Sequence, residues 1–233
     1  MSSDRLTDQT LLIDADDTLW ENNIYFEQSI EAFIDYLAHS SLSREQVRVA
    51  LDEIELANAS AHGYGSKRFT MNLRQCYEHL AERDIGDEDL ATVLGFGDQI
   101  LRQDIELLPG VAETLAALSD RHRLVILTKG SEEEQRMKIE RSGIDMHFFD
   151  AIVVREKDES IYRQTLATLR LQREETWMVG NSPKSDINPA MAAGLNAVFI
   201  PHDRTWRLEL QELRTGPGRF MQLARFAELL QHF

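Results

Sequence analysis

The chain has 233 residues, 42% hydrophobic and 28% charged, with a formal net charge of −15 and a single cysteine, Cys76. That length buries a full core in one or two domains, and the composition excludes a disordered chain. The acidic excess argues against general nucleic-acid binding, one cysteine excludes an intrachain disulfide, and no run of about 18 apolar residues offers a membrane span.

The N-terminal MSSDRLTDQT carries no apolar leader, so a cytoplasmic location is the expectation. Next comes Leu11-Leu12-Ile13-Asp14-Ala15-Asp16-Asp17-Thr18-Leu19-Trp20, an apolar run with carboxylates crowded where it ends. The run reads as a buried strand with Asp14 at its carboxyl edge, and Asp16 shares the pocket if the backbone stays extended. Two such carboxylates repel each other, so the fold must supply a cation or leave one protonated. A solvated acidic turn is the plainer reading of these residues taken alone.

From Trp20 the pattern turns helical. Phe26, Ile30, Phe33, Ile34 and Leu37 share one face of a helix over 25–37. Ser43 and Gln46 form a capping-box start for a helix that stops at His62-Gly63-Tyr64-Gly65. Ser66 and Asp87 are expected caps of two more helices, the second continuing past Gly95 and Gly97 to Leu101. Cys76 lies in this block, where a buried, inert thiol is expected. Pro109-Gly110 ends it.

Strands and helices then alternate: helix 111–118, strand 124–127, helix 131–141, strand 151–154, helix 160–169, strand 177–179, a helical turn 189–193 and strand 197–200. A strand or turn and a closing helix finish the chain over 220–233. This rhythm predicts an α/β fold, a doubly wound parallel-sheet (Rossmann-like) core with an inserted α-helical domain. The expected divisions are 1–20 with 106–233 for the core and 21–105 for the insert. Ligands of such sheets bind beyond the carboxyl ends of the strands. There the sequence offers Asp14 and Asp16, Thr128 with Gly130, Lys157, and Gly180-Asn181-Ser182-Pro183-Lys184-Ser185-Asp186. A phosphate substrate of so acidic a chain requires a locally positive site.

In that order, these residues resemble the haloacid dehalogenase-like hydrolase superfamily over nearly the whole chain. DADDT at 14–18 matches its first motif, Thr128 the second, Lys157 the third and GNSPKSD at 180–186 the acidic fourth. The helical insert resembles the C1 cap of its phosphatase branch. The resemblance implies hydrolysis of a small phosphomonoester, of nucleotide or sugar phosphate type, through an aspartyl-phosphate. Asp14 would be the nucleophile, and Asp16 the acid and base with a raised pKa. Thr128 would bind a phosphoryl oxygen, and Lys157 would neutralise charge. Mg²⁺ would be held by Asp14, the backbone carbonyl of Asp16, Asn181 and Asp186. Lys129, Gly130, Asn22, Tyr64 and Arg68 are candidate substrate contacts, with surface roles as the alternative for Lys129 and Arg68. The only partner implied is a small-molecule phosphate ester, with neither nucleic acid nor membrane.

Two residues depart from the pattern: Asn181, where many of the phosphatases carry Asp, and Lys129, where capped members often carry Asn. An Asn in the fourth motif suits the metal-free 2-haloacid dehalogenases, but these need no Asp16, since no alkoxide leaves. Asn181 also leaves open an inactive member acting as a binding or regulatory module. Glu132-Glu133-Glu134 fits the first turn of a helix, where negative charge suits the dipole. The seven histidines show no HxH or HxxxH spacing for zinc.

Overall fold

A computed structural model describes residues 5–233, the Ser60 side chain excepted. Residues 1–4, where the N-terminal segment read above begins, lie outside the described residues. The chain divides into two compact units, one joining the segment that ends at Glu21 to Ile105–Phe233, the other Asn22–Asp104. Among the described residues no helix is long and apolar enough to cross a membrane.

The first unit is built on a parallel sheet. Its strands are β1 (Thr10–Ile13), β2 (Arg123–Lys129), β3 (Asp150–Val154), β4 (Thr176–Gly180), β5 (Asn196–Phe199) and β6 (Phe220–Gln222). They lie in the order β3-β2-β1-β4-β5-β6, each pair parallel. β1 is central, flanked by β2 and β4. Alternate side chains of a strand face opposite sides, so Leu11 and Ile13 pack with Leu124, Ile126, Trp177 and Val179. Leu12 packs on the other side with Val125, Leu127 and Met178. Burial on both faces explains the unbroken apolar run of β1.

The second unit is helical: α1 (Asn23–Leu37), α2 (Arg44–His62), α3 (Ser66–Leu80) and α4 (Asp87–Asp98). The one-face spacing buries Ile30, Phe33, Val47, Leu51, Phe69, Leu73 and Val93 in a core of its own. Each fully buried aliphatic side chain of this kind contributes roughly 1.5–3 kcal/mol. Arg48 ties α1 to α2 through Glu27, and bonds Asp52 at 2.9 Å. Ser43 caps α2 through the amide of Gln46, and Gly63, at φ 75°, ends it. Cys76 is buried, and burial with the nearby Glu55 pushes its thiol up to about 12, which makes it inert.

Two expected caps are displaced by one residue. Ser66 and Asp87 are the first residues of α3 and α4, and the capping positions belong to Gly65 and Gly86. At α4 the Asp89 carboxylate accepts from the Gly86 amide at 3.0 Å, so the acidic side chain bonds backward from inside the helix. α4 also ends at Asp98, short of Leu101, and a 3₁₀ turn, Ile100–Arg102, follows.

The first unit covers both sheet faces with α5 (Val111–Ser119), α6 (Glu132–Ser142), α7 (Glu159–Leu169) and α8 (Asn188–Ala192). Residues of α5 and α6 pack on the Leu11 side, and those of α7 and α8 on the Leu12 side. The sheet is therefore doubly wound. The closing segment Phe226–Gln231 is a 3₁₀ helix where an ordinary helix was expected; its Phe226 and Leu229 are buried against the Leu11 face.

Gly97 of α4 sits against α3, and a Cβ there would lie 2.9 Å from the Thr70 Cα and 2.7 Å from its Cβ. Thr70 backbone cannot yield without moving α3. Gly97→Ala is expected to destabilise the helical unit by about 1–3 kcal/mol despite its better helix propensity, seen as a lower urea midpoint. An unchanged or higher midpoint would refute this close approach.

Candidate active site

The strand order reverses its direction of growth at β1, and the crevice beyond the carboxyl ends of β1 and β4 is where ligands of such sheets bind. Asp14 follows β1 directly, its amide still bonded to the Val179 carbonyl at 2.9 Å. The backbone then turns sharply instead of staying extended. Leu19 N–H reaches the Ala15 carbonyl at 2.8 Å, and Asp17 adopts a left-handed φ of 60°, which Asp tolerates better than most residues.

Lys157, from the loop after β3, places its ammonium between two carboxylates. It bonds Asp14 Oδ1, and Asp186 Oδ1 at 2.7 Å. All three are buried, Lys157 at 3% exposure and Asp186 at 0%. Asp186 lies in a π-helical turn, Pro183–Ile187, where Ser182 N–H donates to its Oδ2 at 2.9 Å. A Cβ on Gly180 would stand 2.3 Å from that same Oδ2, so only glycine at the end of β4 lets Asp186 fold back beside Asp14. One lysine thus faces two buried carboxylates. Burial and the charge of Asp186 drive the Asp14 pKa up to about 7 against the pull of Lys157.

Asp16 behaves oppositely, which corrects the expectation of a raised pKa. Its carboxylate accepts from Trp20 Nε1 at 2.8 Å, Gln135 Nε2 at 2.8 Å, and Lys138 Nζ at 3.0 and 3.2 Å. Burial alone would raise its pKa, but the Lys138 charge and these hydrogen bonds outweigh burial and hold it below the ordinary carboxylate value. Gln135 and Lys138 were not singled out in the sequence. They sit three apart on one face of α6, both buried, in a helix rich in charged residues. Ser131 caps α6, and Glu134 is buried 3.7 Å from Lys138, so the acidic first turn also serves this lysine.

Thr128, the penultimate residue of β2, is 1% exposed, and among the described residues its hydroxyl has no protein partner. Asn181 Oδ1 lies 3.3 Å from the Thr18 hydroxyl, which also bonds Asp14 Oδ2 at 3.2 Å. Two candidate substrate contacts already have partners within the chain. The Gly130 amide donates to the Val154 carbonyl at 3.0 Å. Lys129 Nζ donates to Glu209 Oε1 at 2.6 Å and Ser185 Oγ at 2.9 Å, with its side chain 14% exposed. Glu209 also accepts from Ser182 Oγ at 2.6 Å, fastening the Ser182–Ser185 loop. Burial raises its pKa, but Lys129 and the hydroxyl bonds pull it below the usual value. No pattern in the charged stretch around Glu209 marks it beforehand. Asn22, Tyr64 and Arg68 belong to the helical unit: Asn22 precedes α1, Tyr64 lies between Gly63 and Gly65, and Arg68 is exposed on α3.

Asp17, Glu21 and His202 bring one ligand-type atom each within 4.8 Å of one another. His202 Nδ1 accepts from the Arg204 amide at 3.3 Å, and its Nε2 lies 3.5 Å from Glu21 Oε2. Glu21 Oε2 is buried and has no hydrogen-bond partner among the described residues.

A family model described as haloacid dehalogenase-like hydrolase matches residues 9–194. The chain belongs to this hydrolase family. It is 33% identical to a phosphoserine phosphatase of Thermus thermophilus over 110 residues, 43% of each chain. It is 28% identical to the N-acylneuraminate-9-phosphatase of Rattus norvegicus over 81% of this chain and 80% of the relative. A solved haloacid dehalogenase-like family hydrolase from Xanthomonas campestris superposes with a TM-score of 0.77 at 28% identity, covering 95% of this chain and 92% of the other.

The residues beyond β1 and β4 suit a hard divalent cation. Asp14, Asp186 and the Asn181 amide oxygen are all oxygen donors, and Lys157 alone leaves Asp14 and Asp186 with an uncompensated negative charge. The same imbalance makes a stability prediction without metal. A carboxyl whose folded pKa is raised from 3.8 to about 7 contributes stability below pH 4 that is lost as pH rises through about 7. With chelator at pH 8, Asp14→Asn is therefore expected to raise the melting temperature by several degrees, reflecting roughly 1–4 kcal/mol, with no gain at pH 4. A lower melting temperature at pH 8 would show that the bond to Lys157 outweighs burial.

Proposed function

We propose that this hydrolase is a phosphatase acting on a small phosphomonoester through an aspartyl-phosphate on Asp14. The observation that carries this reading is Asp14 at the end of β1, bridged by buried Lys157 to Asp186, with the carboxylate of Asp16 two residues on. Asp14 attacks phosphorus; Lys157 holds its carboxylate in place and offsets phosphoryl charge; the unpartnered Thr128 hydroxyl donates to a phosphoryl oxygen. Mg²⁺ at Asp14, Asp186, Asn181 Oδ1 and the Asp16 backbone carbonyl would supply Lewis-acid stabilisation of that charge. Asp16, held ionised, is ready to take the proton of the water that hydrolyses the intermediate. To protonate a leaving alkoxide it must first gain a proton, against Lys138. Asn22, Tyr64 and Arg68 are proposed substrate contacts on the sequence pattern alone. The rat relative, matched over four-fifths of its length and named for a phosphorylated sugar acid, favours the sugar phosphate type over the nucleotide type.

The direct test is phosphate release from p-nitrophenyl phosphate with Mg²⁺ and with chelator, for the wild type and Asp14→Asn. Activity is expected to need the metal and to fall by roughly 10³-fold or more in the variant. Halide release from a 2-haloacid, with no phosphate release, would replace this reading with the dehalogenase. No turnover of either by folded protein would favour a binding module.

A second test separates the two roles of Asp16. Lys138→Met removes the positive neighbour and raises the pKa of Asp16. For an alkyl phosphate, whose leaving group needs a proton, the alkaline limb of kcat is expected to move to higher pH. For p-nitrophenyl phosphate, whose leaving group needs none, it should stay in place. Equal shifts for both substrates would exclude Asp16 as the acid.

A further inference from the structure

We propose that Thr205 is a positioning residue that sets which end of the Asn181 amide faces Asp14, making a neutral side chain into a fixed oxygen donor. This deepens, and rests on, the metal-dependent reading above. Asn181 is 5% exposed, and its Nδ2 donates to Thr205 Oγ1 at 3.0 Å. The Thr205 hydroxyl donates its single proton to the His202 carbonyl at 2.9 Å, and the Thr205 amide donates to the same carbonyl at 3.1 Å. Two bonds to one carbonyl close a tight turn over 202–205 and hold the hydroxyl in one orientation. With its proton committed, Thr205 Oγ1 can only accept from Asn181, and only the NH₂ end of the amide satisfies it. Oδ1 is thereby directed to Thr18 Oγ1, 3.3 Å away, and so to the Asp14 side of the site.

Thr18 also has one proton for two acceptors, Asp14 Oδ2 and Asn181 Oδ1, so lone pairs remain on both for a hard cation. The reverse orientation would aim N–H groups at that position and pull the Thr205 hydroxyl away from His202. The charge that Asn181 lacks relative to an aspartate is thus offset in part by orientation, supplied from a loop 24 residues further along the chain. Outer partners of this kind commonly govern metal affinity by about 10–100-fold.

The test is direct Mn²⁺ binding, read as loss of the free-ion EPR signal without substrate, for wild type, Thr205→Val and Thr205→Ser. Val keeps the shape and removes the acceptor, and Ser restores it. Binding is expected to weaken about tenfold in Thr205→Val and to stay within about twofold of wild type in Thr205→Ser. The wild type alone gives a second readout: NOEs from the Asn181 side-chain amide to the Thr205 methyl are expected, whatever the variants do. Equal affinity of Thr205→Val and wild type, or amide NOEs to the Thr18 methyl instead, would overturn the proposal while leaving the phosphatase reading intact. Phosphate hydrolysis by a wild type that binds no Mn²⁺ would overturn the metal-dependent reading and this inference together.

Discussion

Two buried carboxylates share one lysine beyond β1 and β4, and the rest of the site is shaped by that imbalance. Asp14 and Asp186 could not stay together in a dry crevice without Lys157, and Lys157 could not be buried without them. The backbone is built around the arrangement. Gly180 leaves room for the Asp186 carboxylate, the Ser182 amide binds its other oxygen, and the β1–β4 ladder extends one residue to hold Asp14. What remains is a carboxyl raised to about 7 and a surplus of oxygen donors, a place that favours added positive charge.

Asp14 and Asp16 stand two residues apart and are pushed in opposite directions. Divergence of that kind divides the tasks of two carboxylates in one site. Burial beside Asp186 destabilises the Asp14 anion. Trp20, Gln135 and Lys138 stabilise that of Asp16. The left-handed Asp17 makes the divergence possible, because the sharp turn there brings Asp16 and Trp20 together.

The positive charge that an acidic chain needs near a phosphate comes from lysines already matched to carboxylates. Lys157 serves Asp14 and Asp186, Lys138 serves Asp16 and Glu134, and Lys129 serves Glu209. Matched in this way, they orient acidic groups and loops; Lys129 fastens the segment that carries Asp186 through Glu209 and Ser185.

The sequence by itself determined the architecture, because both of its signals are local. Apolar runs of strand length with flanking helices specify a parallel sheet, and one-face spacing over the insert specifies a separate helical core. It also marked the acidic and basic positions at the strand ends, since topology requires those ends to share one crevice. It could not give the state of those groups. The lowered pKa of Asp16 depends on Lys138, 122 residues away, and the engagement of Lys129 on Glu209, 80 residues away. The orientation of Asn181 depends on one hydroxyl proton in the 202–205 turn. Local pattern carries no record of which distant side chain will be nearest. Charge state and hydrogen-bond direction depend on distances of a few ångströms, and only the folded chain sets those distances.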